Sequence, residues 1–196
     1  MTQTKSKTPA TLRILIDPGH GGRDAGASCG GIREADINLK IAGRLWAMLE
    51  DAGHHCQMTR SGDTQITPPK RVAMEHMGRY DLLLSLHANA ATPEGSGMAV
   101  QTYPGRVSGK NVAACIRNAL KTAFGNVAPA GEAKFTPHPN PDNDSRFYLL
   151  AYALAPAVLV ELGSMANDAD RAFLTNPENQ TDIAAVISQG IEEWRR

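Results

Sequence analysis

A chain of 196 residues is long enough for one domain with a substantial core and short for two. Hydrophobic residues make up 42% and charged residues 20%, an ordinary globular balance, and no apolar run reaches the ~20 residues of a membrane span. Lys+Arg and Asp+Glu each number 20, so a net charge of zero gives no basis for a nucleic-acid or anionic-membrane partner.

The first eleven residues, MTQTKSKTPAT, are polar and mildly basic and lack the apolar stretch of a secretory signal. They are expected to form a disordered leader, 1–11, ahead of a single domain, 12–196. Cys29, Cys56 and Cys115 cannot all pair and show no CxxC spacing, which argues against a disulfide framework and against a cysteine zinc site.

Leu12–Ala27, LRILIDPGHGGRDAGA, reads as a short buried strand that runs into a Pro-Gly turn and a glycine-rich loop. His20 falls just past the strand's end, where open α/β sheets keep their ligands. A turn at Gly30-Gly31 leads into a helix with Ile37, Ile41, Leu45, Met48, Leu49 and Ala52 on one face, ended by Gly53. Glu34 and Asp36 both lie near its start, where either would complement the helix dipole, so position does not choose between them.

His54–Arg60 reads as a strand, on which His54 and His55 point to opposite faces as surface or edge residues. Pro68-Pro69 opens a helix to about Met77, with His76 near its exposed end. Asp81–Ala90, DLLLSLHANA, repeats the opening pattern: a buried strand that ends in His87 and Asn89. Thr92–Gly97 is a turn, Met98–Tyr103 a strand, and Ser108–Thr122 an amphipathic helix with Val112, Cys115, Ile116, Ala119 and Leu120 inward.

Residues 125–146, rich in Pro, Gly, Asn and Asp, read as a long loop able to line a groove, with an exposed His138. Phe147–Leu154 is apolar, and Ala157–Gly163, AVLVELG, is a third buried strand with Glu161 near its end. Asn167-Asp168 and Asn176-Pro177-Glu178 start helices, the last of them with Ile183, Val186, Ile187, Ile191 and Trp194 on one face. These elements predict a single α/β domain. Its twisted, mostly parallel central sheet carries helices on both faces, in the manner of phosphorylase/hydrolase-like folds.

Three strands thus end in His20, His87 and Glu161, and a helix start offers a further carboxylate. Two imidazoles and one carboxylate suit a catalytic zinc, which takes three protein ligands and leaves one position open. The second carboxylate is then free to move protons. A glutamate at a buried strand end is costly unless paired, hydrogen-bonded or protonated. No local HExxH pattern is present, so spacing alone carries little of this reading.

The segments IDPGHGG, READINL, SLHANA and VLVELGSMAND occur in that order, and together they resemble the zinc-dependent N-acetylmuramoyl-L-alanine amidases of the amidase-3 type. The resemblance runs from about Leu12 to Trp194 and includes the cadence of FYLLAYALAPAVLVELG. It implies one zinc ion held by His20, Glu34 and His87, with Glu161 as the catalytic carboxylate and Asn89, in the SxHxN block, ordering the site. It also implies cleavage of the amide between the lactyl group of N-acetylmuramic acid and the L-alanine of the stem peptide.

The chain departs from the family pattern at Ser164, where many members carry an aromatic, and at Ala151, where an arginine is frequent. The interval between His87 and Glu161 leaves little room for the autoinhibitory helical insertion of activator-dependent members, so an open, constitutively active site is expected. The expected partner is peptidoglycan, with no nucleic acid and no membrane insertion, and the expected state is a monomer. Action on the wall, periplasmic or extracellular, fits an endolysin, a delivered effector or a cell-separation enzyme whose leader was removed. The competing readings are a zinc peptidase or carboxypeptidase acting within the stem peptide, and a wall-binding module without catalysis.

Overall fold

The structure, a computed structural model, describes residues 10–89, 95–127 and 145–196. The expected leader falls mostly on residues 1–9, and the expected 125–146 loop with His138 mostly on 128–144; both stretches lie outside the described residues. The apolar runs form the centre of a five-stranded sheet. Its strands are β1 (Arg13–Pro18), β4 (His55–Met58), β5 (Leu82–Asn89), β6 (Ala99–Gln101) and β7 (Ala157–Ser164), in the order β4-β1-β5-β7-β6. Four strands are parallel and β6 pairs antiparallel to β7. A small hairpin, β2 (Ser28–Cys29) with β3 (Ile32–Arg33), sits where Gly30-Gly31 predicts a turn.

Alternation along the strands sends two hydrophobic sets to opposite faces. Ile14 and Ile16, Leu82, Leu84 and Leu86, and Val158, Val160 and Leu162 pack under α1 (Glu34–Asp51), α3 (Lys110–Phe124) and α6 (Pro177–Arg195). Leu15, Leu83 and Leu159 face α2 (Pro68–Gly78) and α4 (Ser145–Tyr152), with Val72, Phe147 and Leu149 above them. The sheet is thus covered on both sides, as continuous apolar strands require. The short α5 (Asp168–Thr175) and α6 are capped by the side chains of Asn167 and Asn176.

From β1 the chain passes through α1 to β4, then returns through α2 to β5 on the other side of β1. Strand order therefore reverses between β1 and β5, and in open α/β sheets ligands sit in the crevice beyond the strand ends at such a reversal. His20 and His87 both come from this boundary.

His54 differs from expectation. It precedes β4 rather than lying on it, so strand alternation does not govern it, and it is buried. Its Nδ1 accepts from the Leu12 amide at 3.1 Å, which leaves Nε2 to donate to Glu192 of α6 at 2.6 Å. His55 is exposed.

A polar cluster crosses the α2 face. Asp17, buried, pairs with Arg71 of α2 and accepts from Thr59 Oγ1 at 2.6 Å and Ser85 Oγ at 2.7 Å. Burial pushes the Asp17 carboxyl up, but the Arg71 charge and the hydrogen bonds outweigh it, so the group is held below the ordinary carboxylate range. A depressed folded-state value means that stabilisation is present at neutral pH and lost as pH falls through and below about 4.

Two tests follow from this packing. Asp17→Asn leaves Arg71 buried without its counter-charge. It should lower stability at pH 7 by about 3–5 kcal/mol and flatten the stability loss below about pH 4, both read by urea denaturation across pH. On α6, a Cβ at Gly190 would lie 2.6 Å from the Ile116 Cα of α3. Helix propensity favours alanine over glycine by about 1 kcal/mol, but a backbone clash outweighs it. Gly190→Ala should therefore lower the unfolding free energy, by about 1–3 kcal/mol.

Candidate metal centre

Beyond β1 the Gly19 amide donates to Leu86 O at 2.9 Å, which holds the turn against β5. His20 follows with φ +61°, a left-handed conformation rare outside glycine. Glu34 is the first residue of α1 and is buried, and His87 is the sixth residue of β5. Glu34 Oε1 lies 3.1 Å from His20 Nε2 and 3.1 Å from His87 Nδ1. The His20 and His87 rings meet edge to face, with centroids 4.9 Å apart.

One ligand-capable atom from each of the three residues lies within 4.8 Å of the others, and theirs is the only such group among the described residues. The described structure thus contains a His/Glu triad able to hold a metal ion. Asp36 stays outside it: two residues along a helix is a turn of about 200°, and its carboxylate lies 3.6 Å from Arg33 instead.

Glu34 is held on every side. Its Oε1 also accepts from the Ala88 amide at 2.9 Å and Asn38 Nδ2 at 3.2 Å, and its Oε2 from the Ala27 amide at 2.9 Å. Burial pushes its carboxyl up, but hydrogen bonds and charge from His20 and His87 prevail and hold it far below the carboxylate range. Gly26, φ +65°, is required twice over: a Cβ there would lie 2.5 Å from Glu34 Oε2 and 2.6 Å from the His20 ring.

Two supporting residues escaped the sequence reading. Asp24 Oδ2 lies 2.9 Å from His20 Nδ1, and its Oδ1 accepts from the Gly26 amide at 3.1 Å. A carboxylate on Nδ1 keeps the proton there and turns the Nε2 lone pair toward the triad. Asn38 stands one helical turn past Glu34, a spacing that could have flagged it.

Glu161 is buried on β7 directly opposite His87 in register, so both side chains leave the same face of the sheet. It is not part of the triad. Asn89 is half-buried at the end of β5, where its carbonyl accepts from the Met165 amide at 2.7 Å and joins the ends of β5 and β7. Ser164 is buried at the end of β7 and its amide donates to Asp170 at 2.8 Å. A cleft beside the triad is walled by Asp17, Asp24, Pro68, Arg71, Ser85 and Leu149. Cys29 is half-buried in the hairpin and outside the triad.

Residues 14–193 match the family described as N-acetylmuramoyl-L-alanine amidase, the amidase-3 type. The chain belongs to that family. Among its relatives is the N-acetylmuramoyl-L-alanine amidase LytC of Bacillus subtilis, 31% identical over 93% of this chain and 35% of LytC, so the match spans about a third of that protein. The uncharacterized protein YqiI of the same organism is 31% identical over 92% of this chain and 84% of its own length. The solved N-acetylmuramoyl-L-alanine amidase AmiC2 of Nostoc punctiforme superposes with a TM-score of 0.80 at 30% identity, covering 95% of this chain and 98% of that one. The amidase-3 fold is therefore this chain's fold, and among the described residues no helix is long and apolar enough to cross a membrane.

If Asp24 orients His20, Asp24→Ala should weaken divalent-metal affinity by about 10–100-fold, measured by titration against a competing chelator.

Proposed function

We propose that this amidase-3 domain, residues 12–196, is a zinc-dependent hydrolase. In this reading it cleaves the amide between the lactyl group of N-acetylmuramic acid and the L-alanine of the peptidoglycan stem. His20, Glu34 and His87 hold one zinc ion. The observation that carries the reading is the separation of the donor atoms. Two ligands at ~2.1 Å on one tetrahedral ion lie about 3.4 Å apart, and Glu34 Oε1 lies 3.1 Å from each imidazole nitrogen. Two imidazoles and one carboxylate are also a donor set that catalytic zinc accepts while keeping a position open. Zinc bound there would supply Lewis acidity toward an amide carbonyl and toward water.

The chain's own residues do the rest. Glu161, projecting beside His87, is the general base: it takes a proton as water adds to the carbonyl carbon. As the C–N bond breaks, the same carboxyl returns that proton to the departing nitrogen, leaving a lactyl carboxylate and a free L-alanine amine. Glu34 stays ionised throughout, because it is surrounded by donors. Asp24 keeps His20 in one tautomer, and Asn89 holds the β5 end against the turn after β7. Pro68 and Leu149 form an apolar wall on which the stem peptide or the lactyl methyl can rest. Peptidoglycan lies outside the cytoplasm, so the reaction belongs in the periplasm or beyond the cell. Helix α4 buries Phe147, Leu149 and Leu150 in the core, and in this reading the site works without an activator.

Purified protein incubated with sacculi should release peptides that begin with L-alanine, identified by mass spectrometry, without any added activator. Fragments cut within the stem would mark a peptidase instead. Glu161→Gln should lower kcat by about 10²–10⁴ while zinc content stays at one per chain, and chelation should abolish activity that added zinc restores.

A further inference from the structure

The connection between β4 and α2 carries none of the residues assigned above to the metal or to proton transfer. Its side chains nevertheless reach both loops that present the metal-binding residues. Arg60, just past edge strand β4, is buried, and among the described residues all its hydrogen bonds go to main-chain carbonyls. Nε donates to Pro18 O at 3.0 Å, and Nη2 donates to Gly19 O and to Ala35 O, both at 2.8 Å. Gly19 immediately precedes His20, and Ala35 immediately follows Glu34. One planar guanidinium therefore ties the neighbours of two ligands to each other.

Three residues on, Asp63 makes a second bridge between the same loops. Its Oδ1 accepts from the Gly22 amide at 2.7 Å, and its carboxylate takes Arg33 Nη1 at 3.0 Å and Nη2 at 3.1 Å. Arg33 Nη2 also donates to Gly22 O at 2.9 Å. Gly22 stands two residues after His20 and Arg33 one before Glu34, so the two bridges bracket both ligands. The Gly62 carbonyl, which accepts from Arg60 Nη1 at 3.1 Å, closes the segment on itself.

We propose that Arg60 and Asp63 form a clasp that sets the separation of His20 from Glu34, and through it the affinity and coordination geometry of the metal site. Both are positioning residues. The proposal rests on the metal reading of the triad. A left-handed, non-glycine His20 persists only where its surroundings over-determine it, and the clasp grips the Pro18 and Gly19 carbonyls before it and the Gly22 amide after it. Burying a guanidinium without a carboxylate partner is expensive, so Arg60 is a poor choice for stability alone. Lysine can replace it only in part, because an ammonium keeps the charge but lacks the rigid fork that spans two carbonyls.

The test measures zinc affinity by chelator competition, and the visible absorption of the cobalt-substituted protein, for wild type, Arg60→Met, Arg60→Lys and Asp63→Ala. Gly190→Ala serves as a variant destabilised at the α3–α6 contact. The clasp predicts a loss of zinc affinity of about tenfold or more for Arg60→Met, with partial recovery in Arg60→Lys. Asp63→Ala should show a smaller loss, all three cobalt spectra should be altered, and Gly190→Ala should match wild type. Folded Arg60→Met and Asp63→Ala proteins with wild-type affinity and spectrum overturn it. Should Arg60→Met not fold, Asp63→Ala, whose carboxylate is half-exposed, decides by the same two readings. A wild-type chain that binds neither zinc nor cobalt refutes the metal reading itself, a result separate from failure of the clasp.

Discussion

One carboxylate oxygen organises this molecule. Glu34 Oε1 takes two imidazoles and the Ala88 amide while almost wholly removed from solvent. A buried anion is unfavourable unless donors surround it, and here they come from β1's loop, β5 and α1 itself. The first turn of a helix adds unpaired amides and the positive end of the dipole. Every element that delivers one of those donors must therefore keep its register, or the charge is left exposed in a low-dielectric interior.

A doubly covered parallel sheet meets that demand because its strands end at a common edge. Reversal of strand order between β1 and β5 opens a crevice at that edge, and the two imidazoles enter from either side of it. Parallel pairing of β5 with β7 then puts Glu161 beside His87 without any further device. The apolar interiors of the same strands, buried under helices on both faces, keep the edge from shifting. Chemistry at the rim and burial at the centre are two ends of the same residues' registration.

The irregular segments are held differently. Where the backbone leaves the strands, its carbonyls and amides have no ladder to satisfy them. Arg71 takes Pro18 O and His20 O at 2.9 and 2.8 Å, Arg60 shares Pro18 O and takes Gly19 O, and Asp24 and Asp63 take the amides of Gly26 and Gly22. The glycine-rich turn is thus as constrained as a strand, by side chains in place of a neighbouring backbone. Edge strand β4 contributes little core, yet the segment after it supplies much of this constraint.

From its sequence alone this chain is legible wherever the controlling force is local. Continuous apolar runs specify buried strands, a 3.6-residue period specifies α1, α3 and α6, and Asn167 and Asn176 cap helices with their own side chains. The abrupt step from leucine to histidine in SLHANA is visible without any partner, because burial changes within one strand. Tertiary structure decided what depends on distant segments meeting. It brings Glu34 to His87 and His20 and buries His54 between Leu12 and Glu192. It also sets Gly190 against Ile116 and brings Arg60 to two loops at once. No local pattern encodes these contacts, since each is fixed by packing between residues tens of positions apart, and hydrogen-bond geometry acts only once the core has brought them together.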